Sequence, residues 1–439
     1  MFQAVAEGQT LILEGAARVQ IVEGTAEIFG APFSPQEQVV VQRYKSLPIE
    51  ALTPLKLEIV LGTGGKINFI EESTISPLWK KVGEEFALKI KSFKGKKAAK
   101  MMVIGDIDSG KSTFVTYQTN LLLKQNFRVG IIDADIGQSN IGPPTVIALG
   151  VIEKGNFVKF LSEIKLKDGY FIGHTSPNRV FHRVMVGLKK MVNAALSQNC
   201  DAIIIDTTGF VRGIYARELK FQKASLINPD LIVALQKDEE LKPLLEPLEC
   251  LGLKIERVHA SENVRLRSME ERKELRKMSF AKHLLGGKVV TLSFGKRLLI
   301  TQFNVGFGEP LSKEAITFLE EKTRVKISHT ELTEEVLLIV VRDKVRMGDV
   351  SEIVFHASEV SEGREVIVLS EKDLENLLVG LYGVDFEYKG IGILKSINYE
   401  NRNLTLYTRE DPREVSLIQL GTVQLFENGE EIGKTSTIF

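Results

Sequence analysis

The feature that most constrains the fold of this chain is a glycine-rich loop that separates an apolar run from a helical pattern. The run MMVIG is continuously apolar, the loop GDIDSGKST extends from Gly105 to Thr113, and FVTYQTNLLLKQ follows with the apolar spacing of a helix. Loops of the pattern G-x-x-x-x-G-K-[ST] wrap backbone N–H groups around phosphate oxygens, and the helix behind them adds a partial positive charge. The alternative, a glycine turn that binds nothing, is disfavoured because strand and helix are both in place.

This loop predicts a nucleotide site in which two side chains have specific tasks. Lys111 is expected to reach the β- and γ-phosphates, and the hydroxyl of Ser112 is expected to help hold magnesium. The loop backbone would supply the other contacts. The predicted nucleotide-binding residues are Gly105, Asp106, Ile107, Asp108, Ser109, Gly110, Lys111, Ser112 and Thr113.

Two aspartates at the end of the next apolar run, in GIIDADIGQ, are candidates for the chemistry. Carboxylates at the C-terminal end of a parallel strand lie beside the ligand crevice of an α/β sheet. Phosphoryl transfer needs a group that helps hold the metal and a group that accepts the proton of the attacking hydroxyl. We assign Asp133 to the metal and Asp135 to the proton, and the alternative is that both only cap a loop. A later run, AIIIDTTGF, places Asp206 similarly, although D-x-x-G is a common pattern.

Strand and helix patterns along the chain predict an α/β protein with three domains. Residues 1–94 alternate apolar and polar positions between glycine-containing turns, which predicts an N-terminal β-domain of strands with Trp79 in its core. Residues 95–286 alternate apolar runs with helical stretches, which predicts a central P-loop NTPase domain with a mainly parallel sheet. Residues 287–439 return to strand patterns and predict a C-terminal β-rich domain with a few helices, of which KDLENLLVGLY is the clearest.

Charge and composition limit the classes of partner. Lys and Arg number 57 and Asp and Glu number 57, so the net charge is zero and a chain-wide basic surface of the histone kind is excluded. A local basic groove is compatible with this balance, and basic residues concentrate in KSFKGKKAAK (Lys91 to Lys100). The cysteines have no paired spacing, the start lacks a signal-peptide pattern, and no apolar stretch reaches about 20 residues. We expect a cytoplasmic protein without a membrane partner.

Two polar segments have both a structural and a functional interpretation. FIGHTSPNRVF, from Phe171 to Phe181, is on spacing alone as compatible with a proline-containing connection as with a binding loop. VRLRSMEERKELRK, from Val264 to Lys277, is typical of a solvated helix, as charge runs usually are. Arginines near a triphosphate also neutralise charge in the transition state, so this second segment is a candidate lid.

In order along the chain, the phosphate loop, DADIGQ, HTSPN, DTTGFVRG and RSMEERKELR resemble the polynucleotide 5′-hydroxyl kinase family. These are RNA-processing kinases related to the kinase-like subunit of the mRNA 3′-end cleavage machinery. The resemblance covers most of the chain. It implies an enzyme that transfers the γ-phosphoryl group of ATP, with Mg²⁺, to the 5′-hydroxyl end of RNA, with DNA as a second candidate acceptor. It also implies protein partners in RNA processing.

The resemblance implies roles for residues around the substrate hydroxyl. Asp135 and Gln138 match the D-x-x-Q element of the family, in which the aspartate positions and activates the 5′-hydroxyl. Thr175, Pro177 and Asn178 match its clasp, which grips the first phosphates of the nucleic-acid strand.

Later elements of the family pattern are the lid and a stacking position. Arg267 and Arg272 match the lid arginines, which close over the transferring phosphoryl group. Phe210 falls where the family often has a tryptophan that stacks on the terminal base, and a phenylalanine keeps a π-face of smaller area. Asp206 stands where relatives commonly have Asn, so its role is open.

Two other functions are compatible with the sequence. A GTP-dependent switch is supported by the phosphate loop together with D-x-x-G, but the nearest counterpart of the guanine-specific N-K-x-D element is QKDE from Gln236. A non-catalytic scaffold that holds ATP in an RNA-processing complex is the second alternative, since some family members are weak or inactive kinases. The presence of Lys111, Ser112, Asp135 and both lid arginines favours an active enzyme.

Overall fold

The computed structural model describes residues 1–93, 98–261, 264–293, 299–300 and 305–435. The chain forms two compact units: the first unit is Met1–Tyr170 with Val180–Leu275, and the second unit is Phe171–Arg179 with Arg276–Phe439. The predicted domain boundary at 94–95, within the basic segment 91–100, lies outside the described residues. The division into three domains stays a prediction.

The N-terminal part of the first unit consists of strands, as the period-two pattern predicts. They are β1 (Phe2–Val5), β2 (Thr10–Glu14), β3 (Ala17–Glu23), β4 (Ala26–Ile28), β5 (Ala31–Phe33), β6 (Gln38–Val41), β7 (Ser46–Ala51), β8 (Leu55–Leu61) and β9 (Lys66–Ile70). A four-stranded sheet has the order β1-β8-β3-β6, and a five-stranded sheet has the order β5-β4-β7-β2-β9. In β3, Ala17, Val19 and Ile21 are buried and alternate with more exposed residues.

A helix, α1 (Pro77–Ser92), follows these strands, so the expectation of strands throughout residues 1–94 is wrong for this stretch. Ser76 caps the helix, because its hydroxyl accepts a hydrogen bond from the Leu78 backbone N–H at 3.3 Å. Trp79 is buried, as predicted, but it packs edge-on against Phe114 with ring centroids 5.1 Å apart. Phe114 belongs to the helix after the phosphate loop, so α1 packs beside the nucleotide-binding part of the unit.

A seven-stranded sheet carries the phosphate loop. Its strands are β10 (Ala99–Gly105), β11 (Val129–Ala134), β12 (Val146–Ile152), β13 (Leu166–Phe171), β14 (Ala202–Thr207), β15 (Leu231–Gln236) and β16 (Ile255–His259), in the order β13-β12-β11-β14-β10-β15-β16. The five neighbouring strands β11, β14, β10, β15 and β16 are parallel to one another, and β12 is antiparallel to β11. The helices are α2 (Lys111–Lys124), α3 (Phe181–Ser197), α4 (Ile214–Ile227) and α5 (Lys242–Cys250). Every residue of β11 and β14 is buried, and the predicted P-loop domain with a mainly parallel sheet is confirmed.

One further helix, α6 (Met269–Leu284), begins among residues of the first unit and ends among residues of the second. The strands after it are β17 (Lys288–Ser293), β18 (Leu299–Ile300), β19 (Ile327–Leu332), β20 (Val336–Val341), β21 (Glu365–Ser370), β22 (Leu377–Tyr382), β23 (Tyr388–Asn398), β24 (Asn403–Thr408), β25 (Leu417–Leu425) and β26 (Glu431–Lys434). The helices are α7 (Lys313–Thr323), α8 (Met347–Ala357) and α9 (Glu371–Leu374). Short 3₁₀ turns occur at Leu161–Glu163, Val384–Phe386 and Pro412–Glu414.

The second unit contains two sheets. The larger has the order β17-β24-β23-β22-β25-β18, with β26 paired to β25, and the smaller has the order β19-β20-β21. A buried cluster that includes Leu319 of α7, Ile339 of β20 and Ile353 of α8 forms the core of the smaller sheet and its helices. The predicted β-rich character is therefore confirmed.

The helix predicted over KDLENLLVGLY is wrong for most of its length. Only α9 is helical, and LLVGLY forms β22, which is buried at every position. A continuous apolar run fits a buried central strand as well as it fits a helix. Part of the predicted strand RLLITQFNV lies outside the described residues. Among the helices of the described part of the chain, each is too short or too polar to cross a membrane.

Candidate active site

The phosphate loop connects β10 to α2 along a path that its glycines require. A Cβ on Gly105 would lie 2.4 Å from Ser109 Oγ and 2.8 Å from the Leu235 carbonyl oxygen. Gly110 caps α2 with a φ of 88°, a left-handed conformation that glycine adopts without strain. The N-terminus of α2 therefore lies at the loop, where its backbone N–H groups can bind an anion.

Lys111 lies inside this loop at the start of α2. It is buried, and its Nζ donates to the Asp106 backbone oxygen at 2.6 Å. Burial lowers the pKa of Lys111, whereas the charges of Asp206, Asp135 and two loop aspartates raise it. The Lys111 ammonium thus lies among carboxylates. It occupies the position from which the lysine of a phosphate loop reaches bound phosphates.

Ser112 is bonded to the carboxylate whose role the sequence left open. Its Oγ donates to Asp206 Oδ2 at 2.6 Å. Asp206 is the penultimate residue of the central strand β14 and is 1% exposed. Burial raises its pKa to about 6, while the charge of Lys111 lowers it. Asp206 Oδ1 and Ser109 Oγ are buried without a hydrogen-bond partner among the described residues. Because such atoms are rare in folded proteins, these two fit a bound cation and a bound phosphate group respectively.

Asp133 is the partner of Asp206 in the register of the parallel strands β11 and β14. Four donors reach its carboxylate: the N–H groups of Asp135, Asn140 and Ile141 and the hydroxyl of Ser139. Burial and the charge of Asp206 raise the pKa of Asp133 to about 7, and the backbone hydrogen bonds oppose them. This carboxylate organises the loop after β11, so the geometry does not favour its predicted role as a metal ligand, which stays a prediction.

Asp135 differs from Asp133 because it is only partly buried. Its Oδ1 accepts hydrogen bonds from the N–H groups of Gly137 at 3.0 Å and Gln138 at 3.1 Å. Its Oδ2 makes no hydrogen bond within the described residues. The carboxylate is therefore fixed through one oxygen, and the other is available to accept a proton. The Gln138 side chain donates to the Arg272 carbonyl at 3.4 Å, which joins this loop to the candidate lid.

Both predicted lid arginines contact the phosphate loop through Asp108. Arg272 Nη2 lies 2.6 Å from Asp108 Oδ2, and Arg267 Nη1 lies 3.5 Å from Asp108 Oδ1. The backbone N–H of Arg267 also donates to Asp108 Oδ2 at 3.1 Å. Burial lowers the pKa of Arg267, and the charge of Asp108 opposes it. The sequence identified the arginines, and the structure adds the carboxylate that holds them at the loop.

The N-terminal strands contribute a second contact to the lid segment, which the sequence did not predict. The Tyr44 carbonyl accepts a hydrogen bond from Arg267 Nε at 3.1 Å, and the Arg265 guanidinium lies 5.7 Å from the centre of the Tyr44 ring. Arg265 also pairs with Glu14 at 3.9 Å and with Glu271 at 2.8 Å. No motif marks Tyr44 or Glu14, because their proximity arises only from tertiary folding.

Two lysines of α4 are buried behind the D-T-T-G turn and were also missed from the sequence. Lys220 Nζ donates to Thr207 Oγ1 at 2.7 Å and to the Thr208 carbonyl at 2.6 Å. Lys223 is fully buried, and its Nζ has no hydrogen-bond partner among the described residues. Burial lowers the pKa of Lys223 to about 8, and the charge of Asp135 opposes this shift. Helical spacing places these lysines on one face, the only sequence signal for the pair.

Phe210 follows the D-T-T-G turn, which packs against the phosphate loop. A Cβ on Gly209 would lie 2.6 Å from Ile107 Cγ1, so only glycine allows this approach. Phe210 is half-buried, and Tyr215 in the first turn of α4 is 60% exposed. The stacking role of Phe210 stays a prediction, and Tyr215 is a second aromatic side chain that sequence reasoning did not select.

The clasp residues belong to the second unit, in the segment Phe171–Arg179 that we call the clasp segment. Thr175 is half-buried and accepts a hydrogen bond from Lys434 at 2.6 Å, Pro177 is buried, and Asn178 is exposed. Thus the loop, Asp135, Gln138 and the lid arginines come together in the first unit. The contribution of the clasp to the same site stays a prediction.

Comparison with a family model identifies the same part of the chain. Residues 105–285 match the model described as mRNA cleavage and polyadenylation factor CLP1 P-loop. The matched range contains the phosphate loop, Asp135, the clasp segment and the lid arginines. P-loop proteins of this kind use a nucleotide.

Relatives match most of the chain. A polyribonucleotide 5′-hydroxyl-kinase of Methanocaldococcus jannaschii is 34% identical over 340 residues, which cover 77% of this chain and 90% of the relative. A polyribonucleotide 5′-hydroxyl-kinase of Pyrococcus abyssi is 35% identical over 339 residues, which cover 77% of this chain and 91% of the relative. Among solved structures, wild-type Clp1p in complex with Pcf11p has a TM-score of 0.64 at 12% identity and covers 97% of each chain. That structural likeness shows a shared fold.

Proposed function

Because the chain belongs to the Clp1-related family of polyribonucleotide 5′-hydroxyl kinases, we propose that it transfers the γ-phosphoryl group of ATP to the 5′-hydroxyl end of RNA. The observation that carries the proposal is the convergence of both lid arginines on the phosphate loop, beside an aspartate with an available oxygen. A loop that only binds a nucleotide needs neither feature. Both features fit in-line phosphoryl transfer, in which arginines can stabilise the transition-state charge and an aspartate can accept the proton of the attacking hydroxyl.

The phosphates of ATP would lie in the loop. Its backbone N–H groups and Lys111 would bind the β- and γ-phosphates, and the lid arginines would stabilise the charge that develops on the equatorial oxygens. Arg267 and Arg272 would exchange Asp108 for phosphate oxygens, since phosphate, like carboxylate, is a bidentate partner for a guanidinium. Burial of Lys111 strengthens its interaction with those oxygens because solvent screens it less.

Asp135 would act as the general base. The 5′-oxygen of the RNA attacks the γ-phosphorus, the bond between that phosphorus and the β,γ-bridging oxygen breaks, and ADP leaves. The proton of the 5′-hydroxyl passes to Asp135 Oδ2, while Oδ1 stays fixed by the backbone of the following turn. Gln138 would position the substrate end beside it.

Magnesium would be held by Ser112 and Asp206. When bound, it neutralises charge on the β- and γ-phosphate oxygens. The hydrogen bond between Ser112 and Asp206 and the partnerless Oδ1 of Asp206 support this pair. From the sequence, Asp133 was the predicted metal ligand. Because hydrogen bonds already engage the carboxylate of Asp133, we favour Asp206 on the neighbouring strand.

The clasp residues Thr175, Pro177 and Asn178 would grip the first phosphates of the strand, and Phe210 would stack on the terminal base. DNA is a second candidate acceptor. A cytoplasmic location, protein partners in RNA processing and the three-domain division (1–94, 95–286, 287–439) complete the proposal. The partner proposal draws on the relative Clp1p, which was solved in a complex with Pcf11p.

Label transfer tests the proposal. The wild-type protein and Lys111→Ala are incubated with γ-labelled ATP or GTP and matched RNA and DNA oligonucleotides that have free 5′-hydroxyl ends. We expect labelled RNA with the wild type, and transfer reduced at least about 100-fold in Lys111→Ala. GTP hydrolysis without transfer would support a GTP-dependent switch, and tight ATP binding without turnover on any end would support a scaffold.

A further inference from the structure

The clasp segment is built onto the C-terminal sheet of the second unit. The Gly173 carbonyl accepts hydrogen bonds from the Thr422 backbone N–H at 2.8 Å and from Thr422 Oγ1 at 3.1 Å. The Phe171 N–H donates to the Tyr382 hydroxyl at 2.8 Å. Thr422 lies in β25 and Tyr382 ends β22, so neighbouring strands of the sheet hold the start of the clasp segment.

Glycines allow the backbones of the clasp segment and the sheet to touch. Gly173 has a φ of +78°, and a Cβ there would lie 2.7 Å from the Gly421 Cα. A Cβ on Gly421 would in turn lie 3.0 Å from the Gly173 carbonyl oxygen. Direct backbone contact of this kind leaves little freedom for the segment, so residues of the sheet have fixed positions relative to Thr175.

Lys434, at the end of β26, contacts the clasp segment. Its Nζ donates to Thr175 Oγ1 at 2.6 Å, and its backbone is held by pairing with Val423 of β25. A threonine hydroxyl that accepts from an ammonium keeps its own proton for a further acceptor. The ammonium has three N–H groups and uses one of them here. The pair therefore offers several donors from adjacent atoms, which suits the oxygens of a phosphate group.

The two carboxylates of β26 and the turn before it pair with cations other than Lys434. Glu431 pairs with Arg276 at 2.5 Å, and Glu430 pairs with Lys277 at 2.7 Å. Lys434 is exposed, and its Nζ contacts the Thr175 hydroxyl. Within the described residues, no carboxylate oxygen lies within 4.0 Å of Lys434 Nζ. Partial desolvation lowers the pKa of Lys434 and the nearby charge of Glu431 opposes this shift, but the Glu431 carboxylate is paired with Arg276. An exposed cation that is fixed by a neutral hydroxyl is suited to bind an anion from solution.

We propose that Lys434 and Thr175 form a phosphodiester-binding subsite for the first nucleotides of the RNA strand, which gives the C-terminal sheet a direct task in substrate binding. This inference rests on the proposed function and deepens it, since it names the sheet residue that completes the clasp. The acceptor is the phosphate backbone, so the subsite contributes affinity and register without reading the base sequence.

RNA binding and kinase activity are measured separately on wild type, Lys434→Gln, Lys434→Arg and the control Lys372→Gln. Lys372 is an exposed lysine of the same unit that pairs with Glu375 at 3.2 Å. We expect Lys434→Gln to weaken binding of a 5′-hydroxyl RNA about tenfold, in fluorescence anisotropy without ATP, because it removes a charge-assisted hydrogen bond. The slope of log K against log salt should become shallower by about 0.7. Lys434→Arg should retain most of the affinity, and Lys372→Gln should match the wild type.

In the kinase assay, Lys434→Gln should raise KM for RNA about tenfold, with kcat and KM for ATP close to wild type, since the contact is made equally before and during transfer. Thermal melting of each variant reports whether it is folded. Unchanged affinity and unchanged salt slope in a folded Lys434→Gln variant would overturn the inference. A wild type that binds RNA with this dependence on Lys434 but transfers no phosphate would leave the subsite standing and overturn the proposed kinase function.

Discussion

Single carboxylates at the phosphate loop differ in how many of their oxygens are engaged, and this difference sets what each can do. Asp133 has both oxygens hydrogen-bonded within its own loop. In the described structure, Asp135 and Asp206 each have one oxygen without a hydrogen bond, and these two lie beside Lys111. A general base and a metal ligand both need an available lone pair, so we propose that Asp135 and Asp206 serve the chemistry and that Asp133 organises the loop.

Replacing Asp135 separates catalysis from binding. Asp135→Asn keeps the oxygen that accepts from Gly137 and Gln138 but removes the basic site, so we expect kcat to fall by about 10²- to 10⁴-fold. The dissociation constant for ATP should change little, because the phosphates bind the loop. Single-turnover transfer and ATP titration measure the two quantities. If ATP binding is lost together with transfer, Asp135 has a structural role and not the role of a base.

Lys223 is a buried cation whose removal should stabilise the protein. Its folded-state pKa of about 8 lies below the usual 10.5, so the protein pays a desolvation cost wherever the lysine is charged. That cost is fully present below pH 8 and disappears as pH rises through the window from 8 to 10.5, where the unfolded chain binds more protons. At neutral pH the shift corresponds to about 3 kcal/mol. We expect Lys223→Met to raise the unfolding free energy by up to this amount.

Denaturant unfolding at several pH values checks this expectation. The difference between Lys223→Met and wild type should shrink as pH approaches 10, while the exposed control Lys372→Met should differ little from wild type at any pH. A destabilised Lys223→Met variant with no pH dependence would mean that the ammonium has a favourable partner in solution.

The residues to which we assign a chemical task stand in motifs, and their partners in the fold do not. Lys111, Ser112, Asp135 and the lid arginines could be selected from the sequence because the proposed reaction calls for those residue types at those positions. Asp108 and Tyr44 hold the lid through contacts between segments far apart in sequence, and such contacts leave no local pattern. The same reason explains why the Ser112–Asp206 hydrogen bond could not be foreseen.

At the scale of elements, α1 and β22 show where periodicity succeeds and where it is ambiguous. The stretch before the phosphate loop has buried residues at Trp79, Val82, Phe86 and Ile90, a helical spacing, and it begins with Ser-Pro. That start signal was available in the sequence and outweighs the strand pattern before it. By contrast, LLVGLY has no period, because β22 is buried on both faces, so only tertiary packing decides its conformation.

The lid segment is joined to the phosphate loop through one carboxylate, that of Asp108, which contacts both lid arginines. Asp108 has a φ of 52°, which asparagine also tolerates, so Asp108→Asn removes the charge without disturbing the loop backbone. We expect faster amide hydrogen exchange across 264–275 in this variant, and wild-type protection to return when an ATP analogue supplies phosphates to the arginines.

Asp106→Asn is the matched control, because Asp106 pairs with Arg212, which is outside the lid, at 2.7 Å. Its exchange over 264–275 should equal that of the wild type. If Asp108→Asn exchanges like the wild type without nucleotide, the lid is held by other contacts, such as those with Tyr44.

For the whole molecule, a net charge of zero is compatible with a nucleic-acid substrate only if few phosphates are bound. We propose that the first unit uses its lid arginines for ATP and that the second uses Lys434 beside the clasp, so that few phosphates of the strand are bound. The alternation of strand and helix patterns predicted the α/β and β-rich regions of the chain. The assignment of Phe171–Arg179 to the second unit could not be predicted, because it depends on long-range hydrogen bonds with β25.

Salt dependence measures how many phosphates the protein neutralises. For two or three contacts with single-stranded RNA, the slope of log K against log salt should lie between about −1.4 and −2.1. Anisotropy titrations over a range of potassium chloride concentrations give this value. A slope near −10, as for a large duplex-binding protein, would contradict recognition of a strand end.

The most direct test of the account is the fate of the γ-phosphate of ATP on paired RNAs that differ only at the 5′ end. One RNA has a free 5′-hydroxyl, and the other already has a 5′-phosphate. We expect label from γ-labelled ATP at the 5′ end of the first RNA and none on the second, and we expect Asp135→Asn to label neither at a comparable rate. Equal labelling of both RNAs, or release of all label as inorganic phosphate, would contradict the account.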